Sequence, residues 1–299
     1  MTEEHKGILL ESGTNELEVI MFTIGTGTFG INVMKVREII QPTNVTLMPH
    51  THPHVEGIIR LRDEVIPVID LAKAIGFSPS EENNQDKYVV SEMNNVKVAF
   101  HVHAVSRIHR ISWEQIEKPS RLSGGLEDLT IGVIKMDENM ILMLDYEKVV
   151  YDIMPEAGIT PAKMEGVEKR DRSGKKILLA EDSPILRKLL KDTLIEAGYD
   201  KLIFSDDGKE AWEYITSTKG GTSIDGVITD IEMPAMDGHH LTKRIKEDQT
   251  LSEIPVLIFS SLITGDLFHK GERVGADAQI SKPEIGQLVT MLDDLLGVK

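Results

Sequence analysis

The sequence predicts two domains of different fold class: an all-β barrel or sandwich, then an α/β domain with a doubly wound, five-stranded parallel sheet. Three observations carry this prediction. At 299 residues the chain is long enough for two ordinary domains, each with its own core. Its first half runs through many short β-like segments separated by Gly, Asn, Asp and Pro clusters. Its second half alternates short apolar strands with helical periodicity five times over.

The β-like segments of the first half are Leu17–Ile24, Phe29–Val33, Val55–Ile59, Val65–Ile69, Tyr88–Val90, Val96–Val102, Thr130–Met136 and Met140–Leu144. Short helices are expected at Val36–Ile40, Leu71–Ile75 and Tyr146–Tyr151. The stretch Pro155–Lys175 holds two prolines, three glycines and many charges. This composition suits a linker, assigned to residues 161–174 between a first domain at 1–160 and a second at 175–299.

The second domain opens with the apolar strand Lys176–Ala180. Ser183 then stands at an N-cap and Pro184 at the first helical position, followed by Ile185, Leu186, Leu189, Leu190 and Leu194 at helical spacing until Gly198 stops the helix. Strands are expected at Leu202–Phe204, Gly226–Thr229, Val256–Phe259 and Ala278–Ile280. Helices are expected at Gly208–Ile215, His239–Lys246, Gly265–Val274 and Pro283–Leu296.

Composition narrows the function classes. Hydrophobic residues at 40% and charged residues at 27% are those of a soluble globular protein. The absence of cysteine excludes disulfides, thiolate nucleophiles and cysteine-ligated metals, and fits a reducing cytosol. Met1–Lys6 is polar and acidic with no apolar stretch of signal-peptide length after it, so no signal peptide is expected. The longest apolar runs, such as Val65–Ile69 and Ile254–Phe259, are strand-length, so no membrane insertion is expected. A formal net charge of −16 repels nucleic acid and anionic lipid.

The chemistry concentrates in the second domain. Glu181 and Asp182 follow its first strand, Asp230 its third, and Lys282 its fifth, while Ser260 ends the fourth. Ligands of a doubly wound sheet bind beyond the carboxyl ends of the strands. Five functional side chains from four separated segments therefore converge on one edge. Clustered carboxylates repel one another unless a cation neutralises them. With no cysteine or clustered histidine nearby, the all-oxygen set suits Mg²⁺. An aspartate beside Mg²⁺ can attack phosphorus to form an acyl phosphate. Phosphoryl transfer needs mainly alignment and charge neutralisation, which the ion and Lys282 would supply, with the Ser260 hydroxyl bonding the arriving oxygen. Singly, each residue reads as an ordinary strand-end polar group. The set, with Pro after Lys282 and Met-Pro after Glu232, does not.

The segments Glu181-Asp182-Ser183, Asp230-Ile231-Glu232-Met233-Pro234-Ala235-Met236-Asp237-Gly238, Ser260-Ser261 and Lys282-Pro283 closely resemble the receiver domains of two-component response regulators. The resemblance implies a flavodoxin-like strand order of 2-1-3-4-5. It further implies Asp230 as the phosphoacceptor (a 4-aspartylphosphate), and Asp182, Asp230 and the Glu232 main-chain carbonyl as Mg²⁺ ligands. Glu181 would act on the ion directly or through water, and Ser260 and Lys282 would sense the phosphoryl group. Gln279 departs from the family, which usually has an aromatic switch residue there. Haloacid-dehalogenase-like phosphatases also use an aspartyl phosphate, but place Asp-x-Asp after the first strand, whereas Asp230 follows the third.

The first half carries no catalytic set. Gly25-Thr26-Gly27-Thr28-Phe29-Gly30 matches the G-x-G-x-x-G string of dinucleotide sites, but a returning strand rather than a helix is expected after it, which makes it a hairpin turn. His50, His52 and His54 alternate around Pro53, and His101 and His103 alternate in a strand. No acidic or cysteine ligand pattern accompanies them, so solvated histidines are expected rather than a zinc site. More specific are Leu17–Ile24, Phe29-Gly30-Ile31, Val36-Arg37-Glu38-Ile39, Val55–Arg62, Val65–Leu71 and Ile141–Asp145, which resemble the chemotaxis coupling protein CheW over about Glu16 to Tyr151. That family's fold is a pair of SH3-like β-barrels bridging chemoreceptor tips and the histidine kinase CheA. Val36, Glu38 and Arg62 match positions implicated in those contacts, while Arg60 and Asp63 replace the common Asn and Gly beside Arg62.

A CheW-like domain joined to a receiver is the layout of CheV-type coupling proteins. The resemblance implies a cytoplasmic, non-enzymatic scaffold at membrane chemoreceptor arrays. CheA would phosphorylate Asp230, and the resulting change at the Leu262–Lys270 surface would modulate coupling. The competing readings are a phosphate sink that leaves coupling untouched and a phosphorylation-gated enzyme.

Overall fold

The computed structural model describes residues 15–80, 84–94, 96–118, 129–136, 139–155, 170–217, 224–262 and 265–298. The chain divides into two compact units, Glu16–Thr160 and a second that combines Pro161–Lys299 with the segment ending at Asn15. Among the described residues no helix is long and apolar enough to cross a membrane.

The first unit is built from β1 (Glu16–Ile24), β2 (Gly27–Asn32), β3 (Val36–Ile40), β4 (Val55–Leu61), β5 (Glu64–Asp70), α1 (Leu71–Ala74), β6 (Lys87–Met93), β7 (Val96–Val102), β8 (Ala104–Ser112), β9 (Ile116–Glu117), β10 (Thr130–Met136), β11 (Asn139–Leu144) and α2 (Tyr146–Ile153). These form a six-stranded sheet, β8-β1-β2-β11-β10-β9, and a five-stranded sheet, β3-β6-β7-β5-β4. Each sheet curls around its own apolar filling: Leu17, Val19, Trp113 and Ile141 in the first, Ile59, Val68, Tyr88 and Ala99 in the second. A third, shared core joins them, with Phe22 and Phe29 from one sheet, Val89 and Phe100 from the other, and Tyr146 of α2. The buried Tyr146 hydroxyl donates to the Gly30 carbonyl at 2.8 Å, so its polar end is satisfied. This is the double SH3-like barrel.

One segment corrects the sequence reading. Val36–Ile40, expected as a helix, is strand β3, paired antiparallel with β6. Its apolar residues at 36, 39 and 40 fit helical spacing, but alternating half-burial and exposure and the ladder with β6 decide for strand. The Gly25–Gly30 string forms the β1–β2 hairpin, with Ile24 opposite Gly27.

His101 is the other correction. It is not solvated: its side chain is 13% exposed and lies between Glu56 (Nδ1 to Oε1, 2.7 Å) and Asp86 (Nε2 to Oδ2, 3.4 Å), with Tyr88 edge-on. Burial lowers its pKa, but the Glu56 hydrogen bond and charge, together with Asp86, outweigh burial and raise it above 6.5. A raised folded value means this contribution is fully present below pH 6.5 and is lost as pH climbs through the folded pKa. His54 titrates in the opposite sense, because burial and His52 lower its pKa. The difference between wild type and His101→Gln isolates the effect. Wild type should exceed the variant in urea stability below pH 6.5 and converge on it above.

The second unit contains β12 (Lys176–Ala180), α3 (Pro184–Ala197), β13 (Lys201–Ser205), α4 (Gly208–Thr216), β14 (Gly226–Thr229), α5 (Gly238–Glu247), β15 (Val256–Ser260), α6 (Gly265–Arg273), β16 (Ala278–Ser281) and α7 (Ile285–Leu296). The sheet is wholly parallel in the order β13-β12-β14-β15-β16, the 2-1-3-4-5 arrangement. Central strands β14 and β15 are buried at every position, as strands covered on both faces must be. Pro184 opens α3 and Gly198 closes it at φ 102°, while Ser183 holds the N-cap position, with no side-chain capping bond among the described residues.

Residues 161–169 of the expected linker lie outside the described residues. Arg170 and Arg172 are described, and both reach Asp293 of α7, Arg172 through two short bonds.

Candidate functional site

The carboxyl edge of the parallel sheet gathers the acidic residues as the chain leaves each strand. β12 ends at Ala180, so Glu181 and Asp182 are delivered above it. The neighbouring β14 ends at Thr229, so Asp230 emerges beside them. The Asp230 N–H donates to the Ala180 carbonyl at 2.9 Å and the Glu181 N–H to the Ser205 carbonyl at 3.1 Å, fixing both backbones. One oxygen each from Glu181, Asp182 and Asp230 lies within 4.8 Å of the others. Among the described residues this is the one such cluster of potential metal ligands, and the histidines do not form another.

Lys282, one residue beyond β16, reaches back over the sheet edge. Its ammonium lies 2.7 Å from Asp230 Oδ2 and 3.2 Å from Glu181 Oε2, and its side chain is 1% exposed. The other Asp230 oxygen, Oδ1, accepts the Ile231 N–H at 2.6 Å. Both carboxylate oxygens are thus oriented, and Asp182 keeps the more accessible position of the three acids. Ser260 ends β15 fully buried, and its hydroxyl accepts the Leu262 N–H at 3.3 Å. Glu232 is also buried, two residues beyond Asp230.

Three positions beyond the sequence-predicted set shape this edge. A Cβ on Gly238 would lie 1.8 Å from the Asp230 carbonyl oxygen, so only glycine allows α5 to start there. Thr229 Oγ1 donates to that same carbonyl at 2.8 Å. Arg187 Nη1 donates to the Glu181 carbonyl at 2.8 Å and pairs with Asp206 at 2.5 Å, joining the turns after β12 and β13. Gly238 stands in the motif quoted above, but its role shows only in the contact.

The donor set fits a hard divalent cation. All three clustered ligands are carboxylate oxygens, and they exceed the one ammonium that bridges two of them.

The first unit brings two of its three predicted partner-binding residues together. Arg62 Nη2 lies 3.0 Å from Glu38 Oε1, with side chains 79% and 30% exposed. Glu38 belongs to β3 and Arg62 follows β4, the two edge strands of one sheet, so the ion pair marks where the barrel closes. At that exposure it contributes at most about 1 kcal/mol. Arg62 takes a left-handed conformation (φ 55°) at the β4–β5 turn, where Arg60 Nε donates to its carbonyl at 3.2 Å. Val36, at the start of β3, instead packs partly buried against the shared core.

Comparison with known proteins follows the same division. Residues 18–154 match the CheW-like domain and residues 177–293 the response regulator receiver domain. The chain is 32% identical to chemotaxis protein CheV3 of Helicobacter pylori over 265 residues, 86% of this chain and 84% of that protein. It is 27% identical to chemotaxis protein CheV1 of the same organism, covering 90% and 89%. The solved scaffolding protein TtCheW from Thermoanaerobacter tengcongensis is 27% identical, covering 43% of this chain and 84% of that one, with a TM-score of 0.41. The chain therefore belongs to the CheV family of chemotaxis proteins, a CheW-like domain followed by a receiver domain.

Proposed function

We propose that Asp230 is the phosphoacceptor of this receiver and that its phosphorylation modulates coupling of chemoreceptors to the histidine kinase CheA. The observation that carries this is the placement of Asp230 Oδ2 2.7 Å from a buried lysine inside a three-carboxylate cluster. Glu181, Asp182, Asp230 and the main-chain carbonyl of Glu232 would hold Mg²⁺. When bound, that ion supplies the positive charge that phosphoryl oxygens require. An Asp230 oxygen bonds to phosphorus as the donor's bond to phosphorus breaks. Lys282 compensates the added charge and the Ser260 hydroxyl turns from its local contact to a phosphoryl oxygen. Phosphorylation adds roughly −1.5 to −2 charges at the sheet edge. The Leu262–Lys270 surface, of which residues 263 and 264 lie outside the described residues, then moves between states.

The CheW-like domain is the output. Val36, Glu38 and Arg62 would contact CheA and the cytoplasmic tips of methyl-accepting receptors, with a linker within 161–174 joining the domains at residues 1–160 and 175–299. The protein acts as a cytoplasmic, array-associated scaffold, not an enzyme beyond slow self-dephosphorylation. Acetyl phosphate with Mg²⁺ should add one phosphoryl mass to wild type and none to Asp230→Ala. Equal labelling of both sinks the assignment. Kinase assays with receptor membranes then separate regulator from phosphate sink: a sink gives equal kinase coupling for phosphorylated wild type and Asp230→Ala.

A further inference from the structure

Gln279 lies on β16, three residues before Lys282 and opposite Ile258 of β15, which ends at Ser260. Its amide is turned onto α6. Nε2 donates to the Phe268 main-chain carbonyl at 2.7 Å, and Oε1 is buried with no hydrogen-bond partner among the described residues. Only the amide nitrogen can donate to a carbonyl, so the orientation is set by chemistry.

The helix is built to receive that amide. A Cβ at Gly271 would fall 2.2 Å from Gln279 Oε1, 2.4 Å from Cδ and 2.7 Å from Nε2. Glycine at 271 leaves open the space that the amide occupies, and a methyl group there would have to displace that amide. Side chain and slot are matched. The tie joins the strand that leads into Lys282 to the helix that follows Ser260.

We propose that Gln279 is the positioning residue through which the phosphorylation state of Asp230 sets the place of α6. It acts as an amide latch seated on Gly271. The proposal rests on the reading of Asp230 as phosphoacceptor. When Lys282 follows the new phosphoryl group, the end of β16 moves with it, and the latch carries the Phe268 turn of α6 along. Without the latch, α6 is uncoupled from β16 while the carboxylate cluster stays intact.

The test uses the full chain with acetyl phosphate and Mg²⁺, reading label by intact mass and α6 by amide hydrogen exchange. Labelling should change wild-type α6 exchange by about fivefold, the scale of one neutral hydrogen bond. Gln279→Ala and the nearly isosteric Gln279→Glu, whose carboxylate cannot donate to Phe268, should take label within about twofold of wild type. Their α6 should exchange about fivefold faster before labelling and show no further change after it. Gly271→Ala, which fills the slot, should lose the response in the same way. A merely structural role for Gln279 would speed exchange in both states and preserve their difference, which overturns the proposal. So does a labelled wild type whose α6 does not respond. Absence of label on wild type ends the phosphoacceptor reading instead, and the latch with it.

Discussion

Asp293→Ala is expected to destabilise the receiver by about 3–5 kcal/mol, the range for stranding one member of a buried ion pair. Arg172 and Asp293 are each 2% exposed and meet through two parallel bonds, Nη2 to Oδ2 at 2.6 Å and Nε to Oδ1 at 2.8 Å. The Tyr199 hydroxyl donates to the same Oδ1 at 2.8 Å. Arg172 Nη1 donates to the Ala197 carbonyl, one of the carbonyls left unpaired where α3 ends. The Asp293 hydrogen bond holds the Arg172 guanidinium above its ordinary pKa against the opposing effect of burial. Burial and the Asp293 bond both push the Tyr199 hydroxyl up, so it stays a donor. Removing the carboxylate therefore takes the counter-charge from a buried cation and an acceptor from a buried hydroxyl.

Urea unfolding of the full chain, followed by hydrogen exchange in β12 and α7, measures the loss where the residues lie. Stranded charge, rather than lost packing, is the predicted cause. The double variant Arg172→Met, Asp293→Leu should accordingly be less destabilised than Asp293→Ala alone. A single variant within about 1 kcal/mol of wild type would show that the pair is dispensable.

This cluster also marks the limit of what the sequence discloses. Arg172 and Asp293 are 121 positions apart, and each is an ordinary charged residue in its own segment. Arg172 even falls inside a stretch whose composition reads as linker. The carboxylate edge was legible for the opposite reason. Glu181, Asp182, Asp230 and Ser260 each end or follow an apolar run that can only be a buried strand, and a parallel sheet brings such ends to one side. Lys282 was legible by the same logic, although its distances to Asp230 and Glu181 were not. Strand β3 was misread because Val36, Ile39 and Ile40 satisfy helical spacing, and only the ladder to β6 resolves the ambiguity. Strand β8 is not announced by apolar alternation because it is an edge strand in which Ser106, Arg107, Ile108 and Arg110 are all exposed. His101 looked solvated because its partners, Glu56 and Asp86, come from β4 and from the residue before β6.

Lys282→Met should have the largest effect at the site itself, and the effect should depend on divalent cation. The ammonium lies between Asp230 and Glu181, both buried, with Asp182 in the same cluster. Methionine keeps an unbranched chain in the cavity but removes the charge, so two buried carboxylates face each other without it. At neutral pH and without Mg²⁺ the receiver should lose about 3 kcal/mol. Millimolar Mg²⁺ should shift the variant's urea midpoint upward by more than it shifts wild type, because a cation bound only by the folded state stabilises it by mass action. A variant whose midpoint does not respond to Mg²⁺ would mean that the carboxylates repel one another without forming a cation site. A variant as stable as wild type under all conditions would mean that Lys282 is not what holds the acidic edge together.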